Sequence, residues 1–121
     1  MATSEKYVLI VEDDTDAREA LAAFLESEGY RVIEAAHGEE ALRHLRDRPV
    51  SAILLDLMMP GMNGWAFRAE QLKDAQLAAI PVAILSADAT AAPRAAALRV
   101  ADYMTKPVDF DRLLQFVRRY C

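Results

Sequence analysis

The stretch Ala52-Ile53-Leu54-Leu55-Asp56 decides the fold, because four apolar residues run without alternation and then stop at a single acid. A strand covered on both faces of a parallel sheet reads this way, whereas a half-exposed strand alternates. The following Leu57-Met58-Met59-Pro60-Gly61-Met62-Asn63-Gly64 gathers a proline, two glycines and an asparagine, which mark a loop before the next helix. Asp56 is therefore expected at a strand-loop junction. Ligands of open parallel sheets collect outside the carboxyl ends of the strands, so the question is what else arrives there.

Upstream, Tyr7-Val8-Leu9-Ile10-Val11 is a β-branched apolar run that ends in Glu12-Asp13-Asp14, a second strand delivering acid at its end. Asp14 or Thr15 can cap the helix that follows, in which Ala17, Ala20, Leu21, Phe24 and Leu25 keep helical spacing and are expected inward, with Gly29 closing it. Residues 31–35 form a shorter second strand. Residues 38–48 form a helix with Ala41, Leu42 and Leu45 inward, stopped by Pro49. Beyond Asp56, Trp65, Phe67 and Leu72 belong to a third helix ending before Ile80-Pro81. Val82-Ala83-Ile84-Leu85 is a fourth strand that delivers Ser86.

Residues 90–99 are alanine-rich with Pro93 in their first turns, which suits a helix packing lightly on the sheet. Asp102-Tyr103-Met104-Thr105 is a short fifth strand ending at Lys106-Pro107. Asp109 caps a last helix striped by Phe110, Leu113, Leu114 and Val117. Five strands alternating with five helices mean parallel strands joined by right-handed crossovers, a three-layer α/β/α sandwich. Its carboxyl edge gathers Glu12, Asp13, Asp56, Ser86 and Lys106.

With 121 residues the chain fits one domain, and a 54% hydrophobic composition lets it bury a core. The net charge of −5 argues against direct nucleic-acid binding, which needs a basic face. No apolar run approaches the roughly 20 residues of a membrane span and the first residues lack an apolar signal core, so a cytoplasmic location is expected. The lone Cys121 forbids an internal disulfide and a thiolate metal site, and reads as an incidental, frayed thiol.

Three carboxylates held about 5 Å apart repel by roughly 3 kcal/mol per pair at an effective dielectric near 20, so the cluster asks for a cation. Oxygen donors without histidine or thiolate favour Mg²⁺ over Zn²⁺. Lys106 adds positive charge and Ser86 a hydroxyl. Around one exposed carboxylate, such a set stabilises a transferring phosphoryl group, with Asp56 as nucleophile and an aspartyl phosphate as product.

Val-Leu-Ile-Val-Glu-Asp-Asp at 8–14, Leu-Leu-Asp-Leu-Met-Met-Pro-Gly-Met-Asn-Gly at 54–64, Leu-Ser-Ala at 85–87 and Tyr-Met-Thr-Lys-Pro at 103–107 resemble the response regulator receiver domain of two-component signalling. The resemblance spans nearly the whole chain and implies a flavodoxin-like five-stranded parallel sheet in the order 2-1-3-4-5. By carry-over, Asp56 accepts phosphate from the phosphohistidine of a histidine kinase or histidine phosphotransfer protein. Asp13 and Asp56 ligate Mg²⁺ directly, Glu12 acts mainly through a water, and the Met58 carbonyl completes the set. Ser86 and Lys106 bind the phosphoryl oxygens. Ser86 is then coupled to inward rotation of Tyr103, which reshapes the face of the last two helices and fifth strand toward a downstream protein target or tethered domain. The Lys106-Pro107 peptide is expected cis.

One departure is Arg99, where the family often has glycine, so the turn ending the 90–99 helix is expected frayed or differently set. Met58 and Asp88 stand where the resemblance places residues that tune phosphate lifetime, and bulky Met58 is expected to hinder the attacking water. Asp14 reads as a cap rather than a ligand, His37 and His44 as solvent-facing, Trp65 and the methionines as packing, and Ser86 and Tyr103 by themselves as a turn hydroxyl and a half-buried aromatic. No output domain is expected in the chain, which is then either a stand-alone regulator or part of a longer protein. Two other functions use the same residues: a receiver-like module acting without phosphorylation, and a Mg²⁺-dependent phosphatase with an aspartyl nucleophile, which would want an acid where Met58 stands.

Overall fold

The computed structural model of the chain describes residues 6–59, 61–88, 90, 93 and 96–121. Five strands, β1 (Tyr7–Val11), β2 (Val32–Ala35), β3 (Val50–Asp56), β4 (Val82–Ser86) and β5 (Asp102–Thr105), form one parallel sheet in the order 2-1-3-4-5. As the lack of alternation in β3 requires, Ile53 and Leu55 pack into one core layer and Ala52 and Leu54 into the other. The sheet is thus clothed on both faces, and β3 lies at its centre between β1 and β4.

The first helix, α1 (Thr15–Ser27), is capped by Asp14, whose carboxylate accepts from the Ala17 amide at 3.1 Å, and ends before Gly29 at φ +95°. Its inward face differs from the expected one: Leu21, Ala22 and Leu25 are buried, while Ala20 is exposed and Ala17 is only partly covered. Rotating the stripe by one position lets α1 lean on β1 and the last helix while its alanines open onto the sheet's carboxyl edge. In α2 (Gly38–Asp47), Ala41, Leu42 and Leu45 point inward as expected, and the helix ends at Arg48 before Pro49. Exposed His37 caps it through Nδ1, which the residue's isolation in sequence did not suggest.

The third helix, α3 (Gly64–Leu72), is shorter than expected. It is capped by Asn63 and stops at Lys73, because the Asp74 carboxylate takes the Gln76 and Leu77 amides and starts a separate turn, Ala75–Ala78. Of the helix expected over 90–99, positions 91, 92, 94 and 95 lie outside the described residues, and its described end is a 3₁₀ turn at Ala96–Leu98. Arg99 follows it at φ +56°, so the left-handed turn that glycine commonly supplies is kept with an arginine. The last helix (Phe110–Tyr120) is capped by Asp109 and buries Leu113, Leu114, Phe116 and Val117. Phe110 is 37% exposed rather than inward, its ring resting against Phe24 with centroids 4.6 Å apart. Nor is Cys121 frayed: its amide bonds to Val117 O and its thiol lies 2.8 Å from Ser51 Oγ, where burial pushes the thiol pKa up.

Candidate phosphoacceptor site

Strand geometry gathers the acids. β1 and β3 pair with Val11 opposite Leu55, so the residues just past each pair, Glu12 and Asp56, leave the sheet side by side. One carboxylate oxygen from each of Glu12, Asp13 and Asp56 lies within 4.8 Å of the others. Glu12 and Asp56 are buried and Asp13 is exposed, so the cluster is a recessed pair with an open third corner.

Glu12 is held from three sides. Lys106 Nζ donates to its Oε1 at 2.5 Å, the Asp14 amide reaches Oε2 at 3.3 Å, and Arg18 holds its backbone carbonyl at 2.9 Å. Arg18 also pairs with Glu34, which fixes α1 against the end of β2. Burial works to raise the Glu12 pKa, but the bonds from Lys106 and the neighbouring donors outweigh it and hold the acid below its ordinary value. Asp56 fares the opposite way. Burial, then a proton shared with Glu12 and the Glu12 charge, push its carboxyl up to about 7 against the Met58 amide (3.1 Å to Oδ1) and Lys106. Lys106 Nζ is 3.7 Å from Asp56 Oδ2, and its own pKa is raised because its acid partners overcome burial. One ammonium thus faces three carboxylates.

The loop after β3 is fixed by a close approach. The Gly64 amide donates to Leu57 O, and a Cβ at Gly64 would sit 2.7 Å from Leu57 Cα and 2.8 Å from Asp56 O. Only a glycine lets the start of α3 press against the backbone that carries Asp56. Met58 stands beside the site with 67% of its surface exposed.

β4 and β5 bring the remaining groups. Ser86 is fully buried, one residue past Leu85, the register partner of Asp56. Its hydroxyl accepts from the Asp88 amide at 3.1 Å, and its carbonyl accepts from the Lys106 amide at 2.8 Å. The Tyr103 ring is half-buried, and its hydroxyl donates to the Asp88 carbonyl rather than standing in water. The Lys106-Pro107 bond is cis, as expected. Beside Lys106 and Glu12 a shallow apolar recess of about 180 Å³ is lined by Ala17, Ala20, Leu21, Pro107, Val108 and Phe110. Glu12, Asp13, Asp56, Ser86 and Lys106 therefore lie together at the carboxyl edge of the sheet, and Tyr103 connects to it through the Asp88 carbonyl. What the sequence did not disclose are the positioning contacts of Arg18 and Gly64, and the recess that the rotated α1 stripe opens.

Among the described residues no helix is long and apolar enough to cross a membrane. Residues 8–118 match the sequence profile described as the response regulator receiver domain. Response regulator RR06 of Streptococcus pneumoniae is 39% identical over 93% of this chain, which spans 54% of that protein. PilH of Pseudomonas aeruginosa is 34% identical, with 91% of this chain and 93% of PilH aligned. Among solved structures, response regulator TrrA of Thermotoga maritima in complex with Mg²⁺-BeF superposes with a TM-score of 0.84 at 28% identity, covering 96% of this chain and 99% of that one. With a match that runs from Val8 in β1 to Arg118 in the last helix, the chain belongs to the response regulator receiver domain family of two-component signalling.

Proposed function

We propose that the chain is a phosphorylation-controlled switch in which Asp56 takes a phosphoryl group from the phosphohistidine of a histidine kinase or histidine phosphotransfer protein. The observation that carries this reading is the recessed Glu12, Asp13 and Asp56 cluster with Lys106 Nζ 3.7 Å from Asp56 Oδ2. All-oxygen donors with a surplus of negative charge fit a hard divalent cation. Glu12, Asp13, Asp56 and the Met58 carbonyl would hold Mg²⁺, which when bound neutralises charge on the carboxylates and on phosphoryl oxygens. The Mg²⁺-BeF complex of TrrA supports that choice by similarity.

In the transfer, an Asp56 carboxylate oxygen forms a bond to phosphorus as the bond from phosphorus to the histidine nitrogen breaks, leaving the donor imidazole with the electron pair. Lys106 and Ser86 bind the phosphoryl oxygens. Because the free carboxyl titrates near neutrality, Asp56 must be ionised before it attacks, and added positive charge favours that form. The apolar recess flanked by Lys106 gives a donor protein a surface beside the acceptor. Signal leaves through Ser86, Asp88 and Tyr103, which already form a hydrogen-bonded chain from the acceptor edge to β5. The receiving partner is a downstream protein or a tethered domain, and the transfer is self-directed rather than a turnover of small molecules. Residues 1–121 act as one receiver unit in the cytoplasm.

The test is incubation with phosphorylated histidine phosphotransfer domains, with p-nitrophenyl phosphate in parallel. The expected result is Mg²⁺-dependent transfer of one phosphoryl group per chain, lost in Asp56→Asn, with no sustained ester hydrolysis. Sustained hydrolysis would favour the phosphatase reading, and constant partner binding without any transfer would favour the phosphorylation-independent module.

A further inference from the structure

The face that α3 buries is Gly64, Phe67, Arg68 and Gln71, the i, i+3, i+4, i+7 stripe of a helix, and two of those four side chains are polar. Arg68 is only 4% exposed and Gln71 is fully buried. Among the described residues no carboxylate pairs with the guanidinium. Its Nε donates to Leu98 O at 2.9 Å, one terminal nitrogen to Arg99 O at 3.1 Å, and the other to Gln71 Oε1 at 2.8 Å. Gln71 passes the connection on, its amide donating to Leu77 O at 2.7 Å and Ile80 O at 3.2 Å. A buried charge bound by carbonyl oxygens alone is costly to install, and its fork geometry fits one arrangement of those carbonyls. The carbonyls belong to the two segments that lead into β4 and β5. The turn it grips holds Arg99 at φ +56°, a backbone conformation that glycine adopts without strain.

We propose that Arg68, braced by Gln71, is a positioning residue that fixes the carboxyl end of the β4–β5 crossover to α3, doing by hydrogen bonding what a glycine at 99 would do by conformational freedom. The amino end of the same crossover is built differently. There Asp88 and Thr90 are exposed, and the Asp88 amide and carbonyl are engaged by the two switch residues, Ser86 and Tyr103. The anchor makes the Leu98–Arg99 turn a pivot, so a rearrangement that starts at Ser86 is taken up at Asp88, Thr90 and the Tyr103 side chain and does not reach the Leu98–Arg99 turn. This second half rests on the receiver reading; the anchor itself does not.

Amide hydrogen exchange on the full chain tests both halves. The Arg99 and Ala101 amides, bonded to Ala96 O and Val82 O, are the reporters, with Ile53 as a core reference. In the metal-free protein Arg68→Met should speed exchange at 99 and 101 about tenfold while Ile53 is unchanged. Adding Arg99→Gly should restore most of that protection, a rescue that a space-filling role for Arg68 would not give. Arg68→Lys, which keeps charge and stem but not the fork, should fall between and serves if the methionine variant does not fold. Unchanged exchange at 99 and 101, equal acceleration at Ile53, or no rescue by glycine overturns the anchor. With Mg²⁺ and beryllofluoride as phosphoryl mimic, the wild type should respond at Asp88, Thr90 and Tyr103 but not at Arg99 and Ala101, and in Arg68→Met the response should spread to those two. An equal response at Arg99 and Ala101 in the wild type overturns the pivot. No response at Asp88 and Tyr103 overturns the receiver reading and leaves the metal-free result standing.

Discussion

The carboxyl edge of the sheet and the amino ends of β4 and β5 both bury charge, and they resolve it in opposite ways. At the amino ends the Arg68 guanidinium has its hydrogen bonds directed to Leu98 O, Arg99 O and Gln71, and Gln71 is bonded in turn to Leu77 O and Ile80 O. At the carboxyl edge three carboxylates share one ammonium, and Asp56 is left with a carboxyl pushed up to about 7. A charge matched by its hydrogen bonds specifies one arrangement, whereas three carboxylates facing one ammonium leave a surplus of negative charge that a cation would relieve. On the proposals above, one end of β4 and β5 stays still and the other responds.

The largest break in that comparison comes from the backbone under Asp56. Gly64→Ala forces a methyl to within 2.7 Å of Leu57 Cα, so it should cost about 3 kcal/mol in urea unfolding and displace the acceptor loop. An unchanged midpoint would mean that the α3 start can retreat without cost.

Next is the electrostatic demand itself. A raised Asp56 pKa stabilises the folded state below the unfolded value near 3.8, and that contribution is lost as pH rises through about 7. Glu12, held low, works in the reverse sense and in a more acidic window. The metal-free protein should therefore lose thermal stability between pH 5 and 8, and either Asp56→Asn or added Mg²⁺ should raise Tm at pH 8 by about 5 °C. At pH 4 Asp56→Asn should have little effect. A flat profile in the wild type would remove the repulsion argument.

Smaller effects refine each end. Met58→Asn replaces an exposed apolar side chain beside the acceptor by one that can orient water, so decay of the phosphorylated form should quicken by a few fold, about 1 kcal/mol or less of barrier; an unchanged or slower decay contradicts a hindering role. At the satisfied end, Arg99→Gly alone should stabilise by only about 0.5 kcal/mol, because relief of the φ +56° strain is partly offset by the entropy of a freer unfolded chain.

The sheet and the site residues were legible because burial on both faces forces continuous apolar runs. Each of β1, β3 and β4 then announces its end with an acid or hydroxyl, and a polar residue after such a run has nowhere to go but the edge. Helix faces were harder to read. A stripe of alanines and leucines in α1 fits two rotations, and packing selected the one that exposes Ala20. The stop at Leu72 carries no glycine or proline; its only mark is Asp74, a cap residue inside an apparently continuous helix. Arg68 and Gln71 were passed over because polar residues on a helix read as solvent-facing. The signal lay in their register with Phe67, since 64, 67, 68 and 71 share one face. Arg99 likewise was expected to disturb a turn that an arginine 31 residues earlier in the chain, Arg68, holds in place.

The central claim is that Asp56 is a phosphoacceptor whose neighbours make it one, and acetyl phosphate tests it without any partner protein. With Mg²⁺, peptide mapping should find one phosphoryl adduct, on the peptide carrying Asp56, abolished by Asp56→Asn and by chelation of the metal. No adduct in the wild type, or an adduct that persists in Asp56→Asn, would contradict the account.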